Sequence, residues 1–159
     1  MDYPKRVRLG QPVDEEELME LCRGLHAENG IFPLNEQKVR DALHRAFEQK
    51  GGILGVVGPA GAIEGLIYMV LSTFWYSDTT HLEELFLYVK PEYRKTPDAR
   101  DLMRFAKWCA DQTGFRLVIG VLTNERVAGK IRLYQREFAN PAGNFFIYEA
   151  QNAAASTQH

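Results

Sequence analysis

Apolar positions recur along this chain at two different periods, and the switch between them marks out the elements. Leu18, Leu21, Cys22 and Leu25 fall at helical spacing. Asp14 stands before them as a candidate N-cap, and Glu15, Glu16 and Glu17 fill the first turn, where the helix dipole favours acids. A helix is predicted to about Glu28, stopped by Asn29-Gly30. Ile31-Phe32-Pro33 is an apolar loop. Asn35 caps a second helix through Val39, Ala42, Leu43, Ala46 and Phe47, which Gly51-Gly52 ends. Strands surround these helices. Lys5–Leu9 reads as a short first strand. Ile53–Val57 and Ile63–Phe74 flank Gly58-Pro59-Ala60-Gly61, which is hairpin punctuation. The second of these runs is apolar on both alternations, the pattern of a central strand covered on two faces. Leu82–Val89 follows as the next strand.

The second half repeats the alternation once more. A helix from Asp98 to about Thr113 buries Leu102, Met103, Ala106, Cys109 and Ala110, and Gly114 ends it. Phe115–Leu122 reads as a strand. Asn124 caps a helix through Val127, Ile131 and Tyr134. Phe138–Tyr148 reads as one or two closing strands around Asn140-Pro141-Ala142-Gly143. The order β–α–α–β–β–β–α–β–α–β predicts an α+β fold, with a mixed, mostly antiparallel central sheet flanked by helices. No internal repeat or linker divides it, so residues 1–149 are expected to form a single domain. The small, polar stretch 150–159 is expected to be a disordered tail.

Composition narrows the function more than the fold. At 159 residues the chain can bury one sizeable core, and a formal charge of −2 lacks the basic face that nucleic acid demands. Cys22 and Cys109 sit at periodic helix positions without metal-ligand spacing, which reads as buried reduced thiols. No charged-then-apolar leader and no long apolar run is present, so a cytoplasmic protein without a membrane partner is expected. No Ser/His/Asp array, phosphate P-loop or dinucleotide fingerprint appears.

One junction carries chemistry. Residues 88–103 read Tyr-Val-Lys-Pro-Glu-Tyr-Arg-Lys-Thr-Pro-Asp-Ala-Arg-Asp-Leu-Met. A strand ends in Val-x-Pro, a turn passes through Arg94, and a helix begins near Asp98. The unpaired N–H groups and positive dipole end of such a helix suit a phosphate. The stretch resembles the acyl-CoA-binding signature of the GNAT N-acetyltransferase superfamily, Val-x-Pro-x-x-(Arg/Gln)-x-x-Gly-x-(Gly/Ala). Val89, Pro91, Arg94 and Ala99 match, and Pro97 stands where the first glycine is expected. Leu133-Tyr134-Gln135-Arg136-Glu137-Phe138 is similar to the family's Leu-Tyr-x-x-x-Gly-Phe, with Glu137 for the glycine. The order of elements resembles the family's over roughly residues 5–148.

The resemblance implies acetyl-CoA as co-substrate, no metal, and direct transfer of an acetyl group to an amine on a small molecule or protein. The pyrophosphate would rest on Arg94, Lys95, Thr96, Pro97, Asp98, Ala99, Arg100 and Asp101. Pro97 removes one donor but suits the start of a helix. The pantetheine arm would pair with the strand edge at Leu87, Tyr88 and Val89, and Asn124 would reach the same arm. A neutral amine is needed for attack, so a base must take its proton. Glu83 and Glu84 are the candidates, and strand alternation sends them to opposite faces. Glu83 lies eleven residues before Arg94, which resembles the base spacing in some family members; a bulge would move the count by one. Tyr134 matches the family's general-acid tyrosine. Around the acceptor, the resemblance points to the loop after the first helix and to the hairpin turn, here Glu28, Phe32, Trp75 and Tyr76, with His26, Ile31, Ser77 and Asp78 beside them. Each residue has a plainer alternative: solvated strand-end charges for the glutamates, a rim tyrosine for Tyr134, loop aromatics packing on their own helices. A homodimer is left open. The two competing readings are a catalytically inactive protein of this fold that binds CoA or a protein partner, and an α+β interaction module with no CoA site.

Overall fold

The computed structural model describes residues 2–121, 127–138 and 141–143. In chain order its elements are β1 (Val7–Leu9), α1 (Glu15–Asn29), α2 (Glu36–Phe47), β2 (Gly52–Val57), β3 (Gly65–Thr73), β4 (Thr80–Val89), α3 (Asp98–Thr113), β5 (Arg116–Val118) and α4 (Val127–Phe138). Single 3-10 turns at Pro12–Asp14 and Pro91–Tyr93 precede α1 and the loop into α3. This follows the predicted order as far as α4. Phe138 ends α4 instead of opening a strand. The expected closing strands lie mostly outside the described residues, as does the tail.

The strands form one sheet in the order β1-β2-β3-β4-β5, antiparallel except for the parallel β4–β5 pair. β3 is central, as its two-sided apolar run predicts. Leu66 and Tyr68 pack with Leu18, Leu21 and Leu43 of α1 and α2. Ile67 and Met69 pack with Leu102, Phe105 and Ala106 of α3 on the other face. Two cores therefore share one strand, and each fully buried side chain in them contributes about 1.5–3 kcal/mol. The helix ends follow their chemistry. Asn35 Oδ1 accepts the Lys38 N–H at 3.0 Å, and Gly114 closes α3 in the left-handed conformation at φ 70°. Asp14 stands at the N-cap position of α1 but does not cap it. Its carboxylate accepts from Arg8 at 2.7 and 2.8 Å and from the Gln11 N–H at 2.8 Å. Burial pushes that carboxyl up, but the Arg8 and Gln11 bonds outweigh it and hold it below the usual range.

Two irregularities in β4 shape everything that follows. Tyr68 pairs with Phe86 while Met69 pairs with Glu84, so Leu85 is an extra residue, a β-bulge. The bulge reverses the alternation. Leu82 belongs to the α3-side core, whereas Phe86 and Tyr88 belong to the α1/α2-side core, although all three are even-numbered. The second irregularity is the early end of β5. Its pairing with β4 covers only His81–Arg116, Leu82–Leu117 and Glu83–Val118. The predicted strand to Leu122 is cut short because the Gly120 N–H turns to a side chain, Glu84, at 3.2 Å instead of a ladder partner. From Glu84 to Val89, β4 has no β5 neighbour among the described residues.

Candidate active site

Glu84 stands where the ladder stops and the bulge begins. It is buried, and an ionised carboxylate is costly there. Burial pushes its carboxyl up to about 7, with the Gly120 N–H and the Lys130 charge opposing the shift. Tyr134 of α4 lies within its electrostatic range. Burial raises the Tyr134 hydroxyl well above its ordinary range, and the Glu84 charge raises it further. Glu83, the neighbouring candidate, is half-buried, pairs opposite Val70 and closes the ladder with Val118. The structure thus buries Glu84 within electrostatic range of Tyr134 and leaves Glu83 in the ladder.

Lys130 is the residue the sequence reading passed over. It lies one turn before Tyr134, on the same face of α4. Burial lowers its pKa, against the raising effect of Glu28 and with the lowering effect of Arg94, while Glu84 raises it. Helix phase was the available signal. Ile131, placed by the sequence on the Tyr134 side, is exposed, whereas Lys130, Leu133, Tyr134, Glu137 and Phe138 are the half-covered positions. Glu137, in the family's glycine position, accepts from Lys107 of α3 through both its carbonyl and its carboxylate, the latter at 3.0 Å. Lys107 also lies 4.7 Å from the Phe138 ring centroid. The substitution therefore anchors the end of α4 to α3.

At the other end of the open edge, Arg94 is held through its Nε and Nη2. Its Nε donates to the Val89 carbonyl at 3.0 Å, and its Nη2 donates to both oxygens of Glu28 at 2.6 and 2.7 Å. The guanidinium lies 5.6 Å from the Tyr88 ring centroid. Tyr88 Oη donates to Glu28 Oε1 at 3.1 Å. Glu28, read as an acceptor-side residue, thus joins the cofactor-side turn to α1. The rings and side chains of Tyr88, Leu87 and Val89 go into the cores, which leaves the backbone of that edge as its recognition surface.

The start of α3 carries its own acids. Asp98 is fully buried and accepts from Arg6 Nη2 at 2.6 Å; Asp101 accepts from Arg6 Nη1 at 3.2 Å. Glu64 lies 3.6 Å from the same guanidinium, and burial followed by the Asp98 charge pushes its carboxyl up. Arg6 was not singled out by the sequence, since nothing in a lone arginine before β1 signals a partner in α3. Within the turn, the N–H groups of Tyr93, Arg94, Thr96, Asp98 and Asp101 are taken by Lys90, Pro91, Tyr93, Thr96 and Pro97 oxygens. Among the described residues this leaves the N–H groups of Lys95, Ala99 and Arg100 for an anion, beside the exposed Lys95 and Arg100 side chains. These donors and the open β4 edge fit a pyrophosphate with an extended amide arm. Asn124 lies outside the described residues.

The aromatic residues read as acceptor-side are on the surface. Trp75 is 94% exposed, Tyr76 69% and Phe32 74%. They are not loose. Phe74 stacks on His81 at 4.6 Å, Tyr76 stacks on Phe74 at 5.6 Å, and Trp75 meets Tyr76 edge-on at 5.5 Å. Phe32 is held through its carbonyl, 2.8 Å from His26 Nε2.

No protein-family model matches the chain, and no curated protein matches it in sequence. Solved structures do match its fold. A possible acetyltransferase from Clostridium difficile 630 superposes with a TM-score of 0.68 at 15% identity, over 91% of this chain and 96% of the other. A ribosomal-protein-alanine N-acetyltransferase from Brucella melitensis biovar Abortus 2308 gives 0.69 at 13%, over 91% and 97%. AAC(6')-Iy, solved in complex with the bisubstrate analogue CoA-S-monomethyl-acetylneamine, gives 0.69 at 11%, also over 91% and 97%. The chain has the fold of the GNAT-type acetyltransferases.

Proposed function

We propose that this chain is an acetyl-CoA-dependent N-acetyltransferase that moves an acetyl group directly to an amine. The observation that carries the proposal is Glu84, buried and bonded by the Gly120 N–H where β4 loses its β5 neighbour, with its carboxyl pushed up to about 7 and Tyr134 within its electrostatic range. Glu84 takes the proton of the attacking amine, and Tyr134 gives its proton to the leaving thiolate. The two steps help each other. Once Glu84 is protonated, the negative charge that raised the Tyr134 hydroxyl is gone, so the acid is strengthened when it is needed. Acetyl-CoA supplies the activated acetyl group. The N–H groups of Lys95, Ala99 and Arg100 hold its pyrophosphate, and the backbone of Leu87, Tyr88 and Val89 holds its arm. Arg94 positions this turn through Glu28 and takes no phosphate itself. Trp75, Tyr76 and Phe32 border the acceptor, whose cationic amine suits aromatic faces.

The fold neighbours support this reading, since two of them are named as acetyltransferases of a ribosomal protein and of unspecified substrate, and a third holds a CoA conjugate. No metal enters the proposal, and among the described residues no group of three or more His, Cys, Asp or Glu is arranged to hold one. Among them no helix is long and apolar enough to cross a membrane. A cytoplasmic enzyme remains the proposal for location. The second reading, a CoA-binding protein without catalysis, is favoured by one feature: Pro97 with Asp98 and Asp101 reduces donors and adds acids where the phosphate would rest. Two measurements separate them. Acetyl-CoA should raise the melting temperature, and a panel of primary amines should release free thiol. Stabilisation without thiol release from any amine would select the binder.

A further inference from the structure

Asp98 opens α3 fully buried, and its two carboxylate oxygens differ. Oδ1 accepts from Arg6 Nη2 at 2.6 Å. Oδ2 is buried and receives no N–H among the described residues. An orphan carboxylate oxygen in that setting is costly. Glu64 is the group placed to supply a donor. Its backbone is fixed by two hydrogen bonds: its N–H donates to the Val57 carbonyl at 2.8 Å, and its carbonyl accepts from the Lys90 N–H at 2.9 Å. Its Oε2 lies 3.6 Å from the same Arg6 Nη2 that binds Asp98. One nitrogen thus brackets two carboxyl groups. Two ionised carboxylates so placed repel, whereas one carboxyl and one carboxylate make an O–H···O⁻ hydrogen bond. The Glu64 carboxyl is raised in agreement, by burial first and then by the charge of Asp98 and a hydrogen bond to it, against the lowering effect of Arg6 and Lys90. Two further links complete the network. Asp101 of α3 accepts from Arg6 Nη1 at 3.2 Å, and Lys90, just beyond β4, lies 3.5 Å from Glu17 of α1.

We infer that Glu64 is a positioning residue of the phosphate site: it holds a proton against Asp98 Oδ2 and so keeps one more negative charge away from the start of α3. The inference rests on the acetyltransferase reading, in which the N–H groups of Ala99 and Arg100, directly after Asp98, take the pyrophosphate. With the proton in place, Arg6 faces two negative charges, Asp98 and Asp101. Without it, Arg6 faces three, and Oδ2 has no donor. The added charge stands at the helix end where an anion is to bind, and opposes it. CoA and the Glu64 proton therefore favour each other's binding. Affinity is full below the folded Glu64 value and falls as pH rises through it. With Asp98 and Asp101 sharing Arg6 and Glu64 neutral, the acids of this turn do not exclude a phosphate.

The test measures the CoA dissociation constant by calorimetry for the full chain and for Glu64→Gln, between about pH 5 and about pH 8. The glutamine amide donates to Oδ2 at every pH and so stands for the protonated state. The ratio of the parent constant to the variant constant cancels the titration of CoA's own phosphates. It should be near one at the acid end and rise by about two- to fivefold at the alkaline end, the scale of one charge at a helix N-terminus. Glu64→Ala should bind CoA like the glutamine variant at the alkaline end but melt lower, because Oδ2 has lost its donor. The Glu64 carboxyl carbon, assigned in NMR spectra by its absence from Glu64→Gln, should titrate above the ordinary glutamate value of 4.5. A ratio that does not change with pH, an alanine variant as stable as the glutamine one, or a Glu64 carboxyl titrating at or below its ordinary value would each overturn the inference. Amine-dependent thiol release in that case would leave the enzyme standing. No CoA binding by parent or variant at any pH would remove the phosphate site, and both readings with it.

Discussion

The two ends of the open β4 edge hold the same kinds of residue in opposite states. At the turn, the buried and half-buried charges are paired: Arg94 with Glu28, and Arg6 with Asp98 and Asp101. At the bulge, Glu84 is buried with one backbone N–H, opposed by the Lys130 charge, and Tyr134 lies within its electrostatic range. Paired charges fix geometry and change little with pH near neutrality. An under-compensated buried carboxyl is destabilising when ionised and is therefore poised to take a proton. In the proposed reading the turn holds and the bulge reacts.

The largest expected effect separates these roles. Glu84→Gln should lower kcat/KM at neutral pH by about a hundred- to ten-thousandfold. The same change should stabilise the fold at alkaline pH. The folded carboxyl titrates at about 7 against an ordinary 4.5, so the folded protein holds a proton that the unfolded chain has lost. That contribution is present below the unfolded value and is lost as pH rises through the folded one. The glutamine variant should thus match the parent near the acid end and exceed it above neutrality by roughly 3 kcal/mol. Urea titrations on both sides of that window check it. Equal stability of parent and variant at both ends would mean that Glu84 is well paired.

Next comes Tyr134→Phe, which keeps the ring and removes the hydroxyl. Turnover should fall by about ten- to a thousandfold, or ~1.4–4 kcal/mol of barrier, with a much smaller change in KM for acetyl-CoA. Full activity would leave Tyr134 as a rim tyrosine. At the turn the pattern should invert. Arg94→Ala leaves Glu28 without its bidentate partner and should cost about 1–3 kcal/mol of stability, raise the KM for acetyl-CoA and spare the pH dependence. Denaturant midpoints and steady-state kinetics on one preparation would show the split. Smallest of all, Trp75→Ala should change stability by no more than about 0.5 kcal/mol, given its exposure. Any kinetic effect should fall on the acceptor's KM, and a rise in the KM for acetyl-CoA instead would move the acceptor away from the hairpin turn.

The contrast also explains what could be read in the chain. The helices and the central position of β3 were legible, because periodicity reports burial and both faces of β3 are covered. The junction at Arg94 was legible as a motif. Its pairing was not, since Glu28 is 66 residues away and an exposed-looking arginine carries no mark of its partner. The choice between Glu83 and Glu84 turned on one bulged residue, Leu85, and on where β5 stops. Both are tertiary facts that no local pattern in the chain carries. Lys130 was hidden by helix phase: one position of rotation exchanges an exposed isoleucine for a half-buried amine. Asp14 looked like a cap and became an ion-pair partner, because Arg8 lies within reach on the neighbouring strand.

The most direct test of the account is thiol release from acetyl-CoA with an amine panel, followed across pH for the parent and Glu84→Gln. With an accepted amine, parental kcat/KM should rise through a transition near the Glu84 value, about 7. The glutamine variant should lose that transition together with most of its activity. Full activity in Glu84→Gln, with the same pH profile as the parent, would contradict the assignment of Glu84 as the base and with it the site described here.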